Sequence, residues 1–120
     1  MRRDMDLVRE ILQQIEAWPK AQGWIEFDLP DRSPEEVSHH VEIMAKAGLI
    51  EALDASTFSE PDWKAKKLTW NGHEFLEAAR SDTIWQRAKE LLAEKGGGTS
   101  FEVMLALLTE LVKRQVLGDS

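Results

Sequence analysis

The chain predicts a mainly α fold with a small β-hairpin or a three-stranded sheet, and three observations carry that prediction. Apolar residues return at helical spacing in several separate segments, each bounded by capping or breaking residues. Two short β-compatible runs, Ile50 to Asp54 and Lys66 to Trp70, flank a polar stretch from Ala55 to Asp62 that contains Pro61, which reads as a hairpin with a long tip. Pro19, Gly48 and the triplet Gly96, Gly97 and Gly98 punctuate the segments. With 120 residues, 42% hydrophobic and 31% charged, the chain suits one domain, 1–120, made of a core over 1–80 and a C-terminal helical hairpin over 81–120.

The first helix runs from Asp4 to Trp18, where Leu7, Val8, Ile11, Leu12, Ile15 and Trp18 form a wide stripe, and Pro19 stops it. Between Ala21 and Arg32, Gly23, the β-leaning Trp24 to Phe27 and Pro30 argue against a helix. Trp24 to Asp28 is expected to be a short strand beside the hairpin. Ser33, Pro34 and Glu36 then form a capping box with proline at the first helical position. They open a helix over Pro34 to Ala47 with Val37, Val41, Met44 and Ala45 inward and Glu35, His39, Glu42 and Lys46 outward. Gly48 supplies the left-handed residue that ends it, and Leu49 and Ile50 anchor the extended run that follows.

Thr69 caps the next helix, whose inward face is Phe75, Leu76 and Ala79. After Ser81 a further helix carries Ile84, Trp85, Ala88, Leu91 and Leu92 on one side and ends at Lys95. The glycine triplet is a tight connection, because it lacks the spacing and lysine of a phosphate loop, and Thr99 with Glu102 forms a second capping box. The last helix, Ser100 to Val116, has a broad face of Phe101, Met104, Leu105, Leu108, Leu111 and Val112, with Val103, Leu107 and Val116 adding apolar surface outside it. A surface helix needs one stripe, so this one is either sunk within its own domain or packed on a second copy, and in a chain this small the second copy is the expected cover: a homodimer through this helix and the one before it.

Two phrases, SHHVEIMAKAGLI at Ser38 to Ile50 and LTWNGHEFL from Leu68, resemble the winged helix-turn-helix family, most closely the small bacterial ArsR-type and PadR-type regulators. The resemblance implies that the helix over Pro34 to Ala47 is the recognition helix and the hairpin the wing, with double-stranded DNA as partner. The contacts it implies are Ser38, His39 and Lys46 on the helix and Lys64, Lys66 and Lys67 on the hairpin. The chain departs from the pattern in lacking a helix between Ala21 and Arg32, and in carrying Glu42 and Ala45 where such regulators commonly place basic residues. Over nearly the whole length, MRRDMDLVREIL, LTWNGHEFL, DTIW and GGGTSFEVMLALLT resemble a domain-of-unknown-function family of bacteria and their prophages. That second resemblance implies no activity.

The charge works against the regulator reading. The net charge is −7, and residues 1–60 hold 13 acidic against 6 basic side chains, whereas phosphate binding calls for a basic face. Lys64, Lys66 and Lys67, beside Trp63, are the compact basic cluster, and lysines on a hairpin edge also serve to block strand-to-strand aggregation. The histidines, His39, His40 and His73, have no H-x-x-x-H or H-E-x-x-H spacing, so no metal or other cofactor is expected, and His40 is expected to be a packing residue whose ring bonds to backbone. The absence of cysteine excludes a disulfide framework and a thiol nucleophile. No signal peptide or membrane-length apolar run is present, so the expected compartment is the cytoplasm and no membrane is involved. No nucleophile accompanies the carboxylates, and an enzyme is not expected. Two readings stay open: a dimeric DNA-binding regulator, and an interaction module that keeps the fold, does not bind DNA, and offers an acidic face to a basic protein partner.

Overall fold

In the computed structural model, Asp4 opens the first helix with a side chain that accepts from the N–H groups of Asp6 (2.9 Å) and Leu7 (3.3 Å). The structure describes residues 1–95 and 100–118. The elements follow in the order α1 (Met5–Ala17), α2 (Pro34–Lys46), β1 (Ile50–Asp54), β2 (Trp63–Leu68), α3 (Trp70–Ala78), α4 (Asp82–Glu94) and α5 (Phe101–Val116). The mainly helical fold with one small antiparallel hairpin is the one expected. The chain divides into two compact units, Met1–His73 and Glu74–Ser120, which part within α3, where the sequence places its internal division after Arg80.

In the first unit Leu7, Val8, Ile11, Leu12 and Ile15 of α1 are buried together with Val41 and Met44 of α2. α2 begins as the capping residues predict, with Ser33 Oγ accepting from Glu36 N–H at 3.1 Å. The box is only half closed, because the Glu36 carboxylate turns to Arg32 (3.2 Å) instead of to the cap. The buried stripe is rotated from the expected one: Ser38, His40, Val41 and Met44 face inward, and Val37 and Ala45 are half-buried. Hydrogen bonds move it. His40 Nε2 accepts from Asp4 N–H (2.8 Å) and its Nδ1–H donates to the Glu36 carbonyl (2.9 Å), while Ser38 Oγ accepts from Trp63 N–H (2.9 Å), so both polar groups are buried satisfied.

Gly48 ends α2 with φ +82°, and the chain enters β1 through the buried Leu49 and Ile50. β2 begins earlier than expected, at Trp63, because Asp54 pairs with Trp63 and Leu53 with Lys64 across the sheet. It also ends earlier. Thr69 leaves the ladder to cap α3, accepting from Gly72 N–H (3.1 Å) and donating its hydroxyl to the Gly48 carbonyl (2.6 Å), so Trp70 belongs to the helix and is 78% exposed. A Cβ on Gly72 would collide with the Leu49 carbonyl oxygen, which explains the glycine of the LTWNGHEFL phrase.

The sheet has two strands, and the expected third does not form. Trp24 to Asp28 takes no regular secondary structure, and its ladder-like bond is Ile25 N–H to the Ala65 carbonyl (3.1 Å). Further along, the Gln14 amide replaces a partner strand: it donates to the Asp28 carbonyl and accepts from the Asp28 N–H, both at 2.8 Å. A side chain of α1 thus satisfies backbone groups that a strand would otherwise pair.

The second unit is built on aromatic packing. The Phe75 ring meets Trp85 of α4 edge to face at 6.3 Å and Phe101 of α5 at 5.8 Å, and Ile84, Ala88, Met104 and Leu108 complete its buried set. Ser81 and Ser100 cap α4 and α5 by accepting from Ile84 and Val103 N–H groups, both at 3.2 Å. The glycine connection and the Thr99 capping box lie outside the described residues.

Candidate interaction surface

The surface that sequence reasoning singled out is carried by α2 and the hairpin, which pack on each other within the first unit. Its six candidate contacts do not form one basic face. Ser38 is 6% exposed and its Oγ accepts from Trp63 N–H, so it lies within the fold and not on the surface. His39 is half-buried, its ring set edge-on to His40 at 5.6 Å. Lys46 is paired with Glu42 at 2.7 Å and lies 6.0 Å over the Trp63 ring.

The hairpin lysines separate. Lys64 pairs with Asp62 (3.2 Å) and lines a groove of about 440 Å³ with Phe27, Leu29, Val37 and Trp63. Lys66 and Lys67 turn to a different cleft, and Lys67 pairs with Glu51 at 3.4 Å. Such exposed pairs add little stability, but a carboxylate within 4 Å cancels most of the field that a lysine would offer a phosphate. Over residues 33–68, the carboxylates Glu35, Glu36, Glu42, Glu51, Asp54, Glu60 and Asp62 outnumber Lys46, Lys64, Lys66 and Lys67.

The tip of the hairpin is the feature that sequence reasoning missed. Ala55 N–H donates to the Asp62 carbonyl (2.8 Å) and Thr57 N–H to that of Glu60 (2.9 Å). Side chains add a second set: Ser56 N–H to Asp54 Oδ1 and Asp62 N–H to Ser56 Oγ, both 2.9 Å, and Glu60 N–H to Thr57 Oγ1 at 3.2 Å. These Ser56 bonds hold the Asp54 carboxyl below its ordinary acidity range. The turn so braced presents Phe58 fully exposed. A lone phenylalanine in a polar stretch carries no periodic signal, and only the turn geometry places it at the apex.

Two comparisons bear on the chain's kinship. The model of a family described as "Hypothetical protein (DUF2513)" matches residues 2–98. The chain belongs to the DUF2513 family. A Haemophilus influenzae protein described as uncharacterized is 34% identical over 120 residues, covering 97% of this chain and 99% of its own length. No solved structure matches. Within this DUF2513 chain the matched span takes in α1 to α4, and therefore the hairpin and its tip, while α5 lies beyond it. Among the described residues no group of three or more His, Asp or Glu side chains is placed to hold a metal, and no helix is long and apolar enough to cross a membrane.

At the far end of the chain, the six residues assigned to a dimer interface also divide. Met104 and Leu108 are buried by the chain itself, while Phe101, Leu105, Leu111 and Val112 are half-buried. The open positions are Val103 (50% exposed), Val116 and Leu117.

Proposed function

We propose that this chain is a winged-helix-type interaction module of the bacterial cytoplasm that binds a basic protein partner and does not read duplex DNA. The observation that carries this reading is the braced hairpin tip, which holds Phe58 out of the fold with Asp54, Glu60 and Asp62 around its base. An aromatic side chain on a braced backbone has few side-chain torsions left to order on docking and is a common source of binding energy at interfaces. Carboxylates around it favour a cationic rim on the partner and repel phosphate. The pairing of Lys46, Lys64 and Lys67 with carboxylates and the withdrawal of Ser38 support the same choice.

The dimeric regulator remains the second reading, favoured by the order of α2, hairpin and capped α3 and by the open apolar positions on α5. Fluorescence anisotropy of labelled random-sequence duplex, run at several salt concentrations, separates the two. The interaction reading expects no binding even at low salt. Binding whose logarithm falls linearly with the logarithm of salt, and which disappears in the Lys64→Ala, Lys66→Ala, Lys67→Ala triple variant, establishes the regulator instead. A photo-crosslinking amino acid at position 58 supplies the positive test: a discrete adduct with a basic protein in host lysate, lost on Glu60→Lys and Asp62→Lys substitution, is the expected outcome.

A further inference from the structure

We propose that the cleft between the end of α1 and β2 is a binding site for a small phosphorylated molecule. It is an open cleft of about 510 Å³, a size within the common range of small-ligand pockets, and Lys20, Lys66, Lys67 and His73 line it. Ile15 and Leu68 supply apolar surface and Glu16 is the carboxylate among the lining residues. In a chain of net charge −7, this is a local reversal of sign.

The strand geometry builds this reversal. In the ladder Glu51 pairs with Lys67 and Ala52 with Ala65, so Lys66 is the extra residue of a β-bulge. Regular alternation would send one of two successive residues to the buried face, yet Lys66 and Lys67 are both exposed between the buried Ala65 and Leu68. Bulges re-aim side chains in this way and recur beside binding sites. Among the described residues Lys66 makes no ion pair and is the hairpin cation left for an anion, while Lys67 keeps Glu51 at 3.4 Å.

The opposite wall adds a positioned cation. Lys20 lies 5.6 Å over the Trp18 ring, which restrains an ammonium that the Pro19 turn would otherwise leave loose. The Trp18 Nε1–H itself is buried without an acceptor among the described residues, and an orphan donor of that kind is uncommon in a folded protein. Two ammonium groups, Lys20 and Lys66, lining one cleft suit a phosphate, to which lysine binds as a point charge with charge-assisted hydrogen bonds. The carboxylates of α2 and of the hairpin tip leave no extended basic track for a nucleic-acid backbone, which favours a small molecule.

Isothermal titration calorimetry of the full chain at about 50 mM salt, a range in which phosphate contacts are strong, tests the site with adenosine monophosphate and inorganic pyrophosphate, and with adenosine as the uncharged control. Both phosphorylated probes are expected to bind and adenosine not to. Lys66→Ala should weaken binding by about tenfold, the factor expected for one charged partner, and Lys20→Ala by a comparable amount, with circular dichroism unchanged. The Trp18 indole N–H resonance, assigned by Trp18→Phe, should move on titration. Absence of heat with both probes overturns the proposal, as does an affinity unchanged in the Lys20→Ala, Lys66→Ala double variant. Duplex DNA that binds through these same lysines, with no response to either small probe, also overturns it and returns the cleft to the regulator reading.

Discussion

His40 joins the start of α1 to α2 through an imidazole that must be neutral, since Asp4 N–H needs the lone pair of Nε2. Burial depresses its pKa from the usual histidine value, against the raising effect of the Glu36 carbonyl, and the nearby His39 adds to the depression. A histidine lowered on folding contributes stability that is whole above the unfolded value of about 6.5 and is lost as pH falls below it, no faster than one proton's about 1.4 kcal/mol per pH unit. Asp4 works at lower pH: burial raises its carboxyl, but the Arg32 bond (2.7 Å) and the Leu7 and Asp6 N–H groups outweigh that and leave it depressed. Its contribution is present above the ordinary carboxylate value and lost as pH falls through the folded one. Urea midpoints measured at successive pH values should therefore decline first below neutrality and again in strong acid, and His40→Phe should flatten the first decline. Gly72 offers a second check. Gly72→Ala should cost about 1 to 3 kcal/mol in a denaturant melt, because its methyl group meets backbone, which yields less readily than a side chain.

At the scale of elements, most helix ends and the glycine stop were legible in the sequence, because capping is local chemistry that Ser33, Thr69 and Ser81 carry out within three residues of themselves; at α5 it is Ser100, expected as the first helical residue, that accepts from Val103 N–H. Strand limits were less legible. Whether Trp70 ends a strand or begins a helix depends on Thr69 reaching Gly48, a contact between residues 21 apart, and Trp24 to Asp28 lost its strand partner to a glutamine on α1. The hairpin tip yields a prediction of its own. Phe58→Ala removes no buried contact, so the melting temperature should stay within about 1 °C of wild type, as expected for a surface change of a few tenths of a kcal/mol. Binding to the partner should nevertheless fall sharply. A large loss of stability on Phe58→Ala would mean that the ring packs in the fold after all.

For the whole molecule, the exposed apolar positions of α5 bear on assembly. Val116 and Leu117 are 75% and 80% exposed near the end of α5, and Val103 is half open at its start. A homodimer that covers these positions should show twice the 13.7 kDa chain mass in light scattering at micromolar concentration. Val116→Asp with Leu117→Asp should return it to the chain mass, since a buried unpaired carboxylate is costly. Met104→Ala should instead destabilise the fold by about 2 to 5 kcal/mol, because that side chain is already covered. A single-chain mass for wild type would end the dimer reading while leaving the hairpin tip and the lysine cleft to their own tests.

The sequence by itself determined the helical character of the chain, the order of its elements, the hairpin and its long tip, and the acidic balance that argues against a nucleic-acid footprint. Each of these follows from periodicity, capping or charge, which act over a few residues or are simple sums. Tertiary structure alone decided which polar side chains are withdrawn and which are offered. Ser38 and His40 turned inward because backbone donors and acceptors far along the chain required partners, and a one-residue bulge set Lys66 and Lys67 beside Lys20. Such placements depend on which backbone groups meet across the fold, and no local pattern in the chain encodes that meeting.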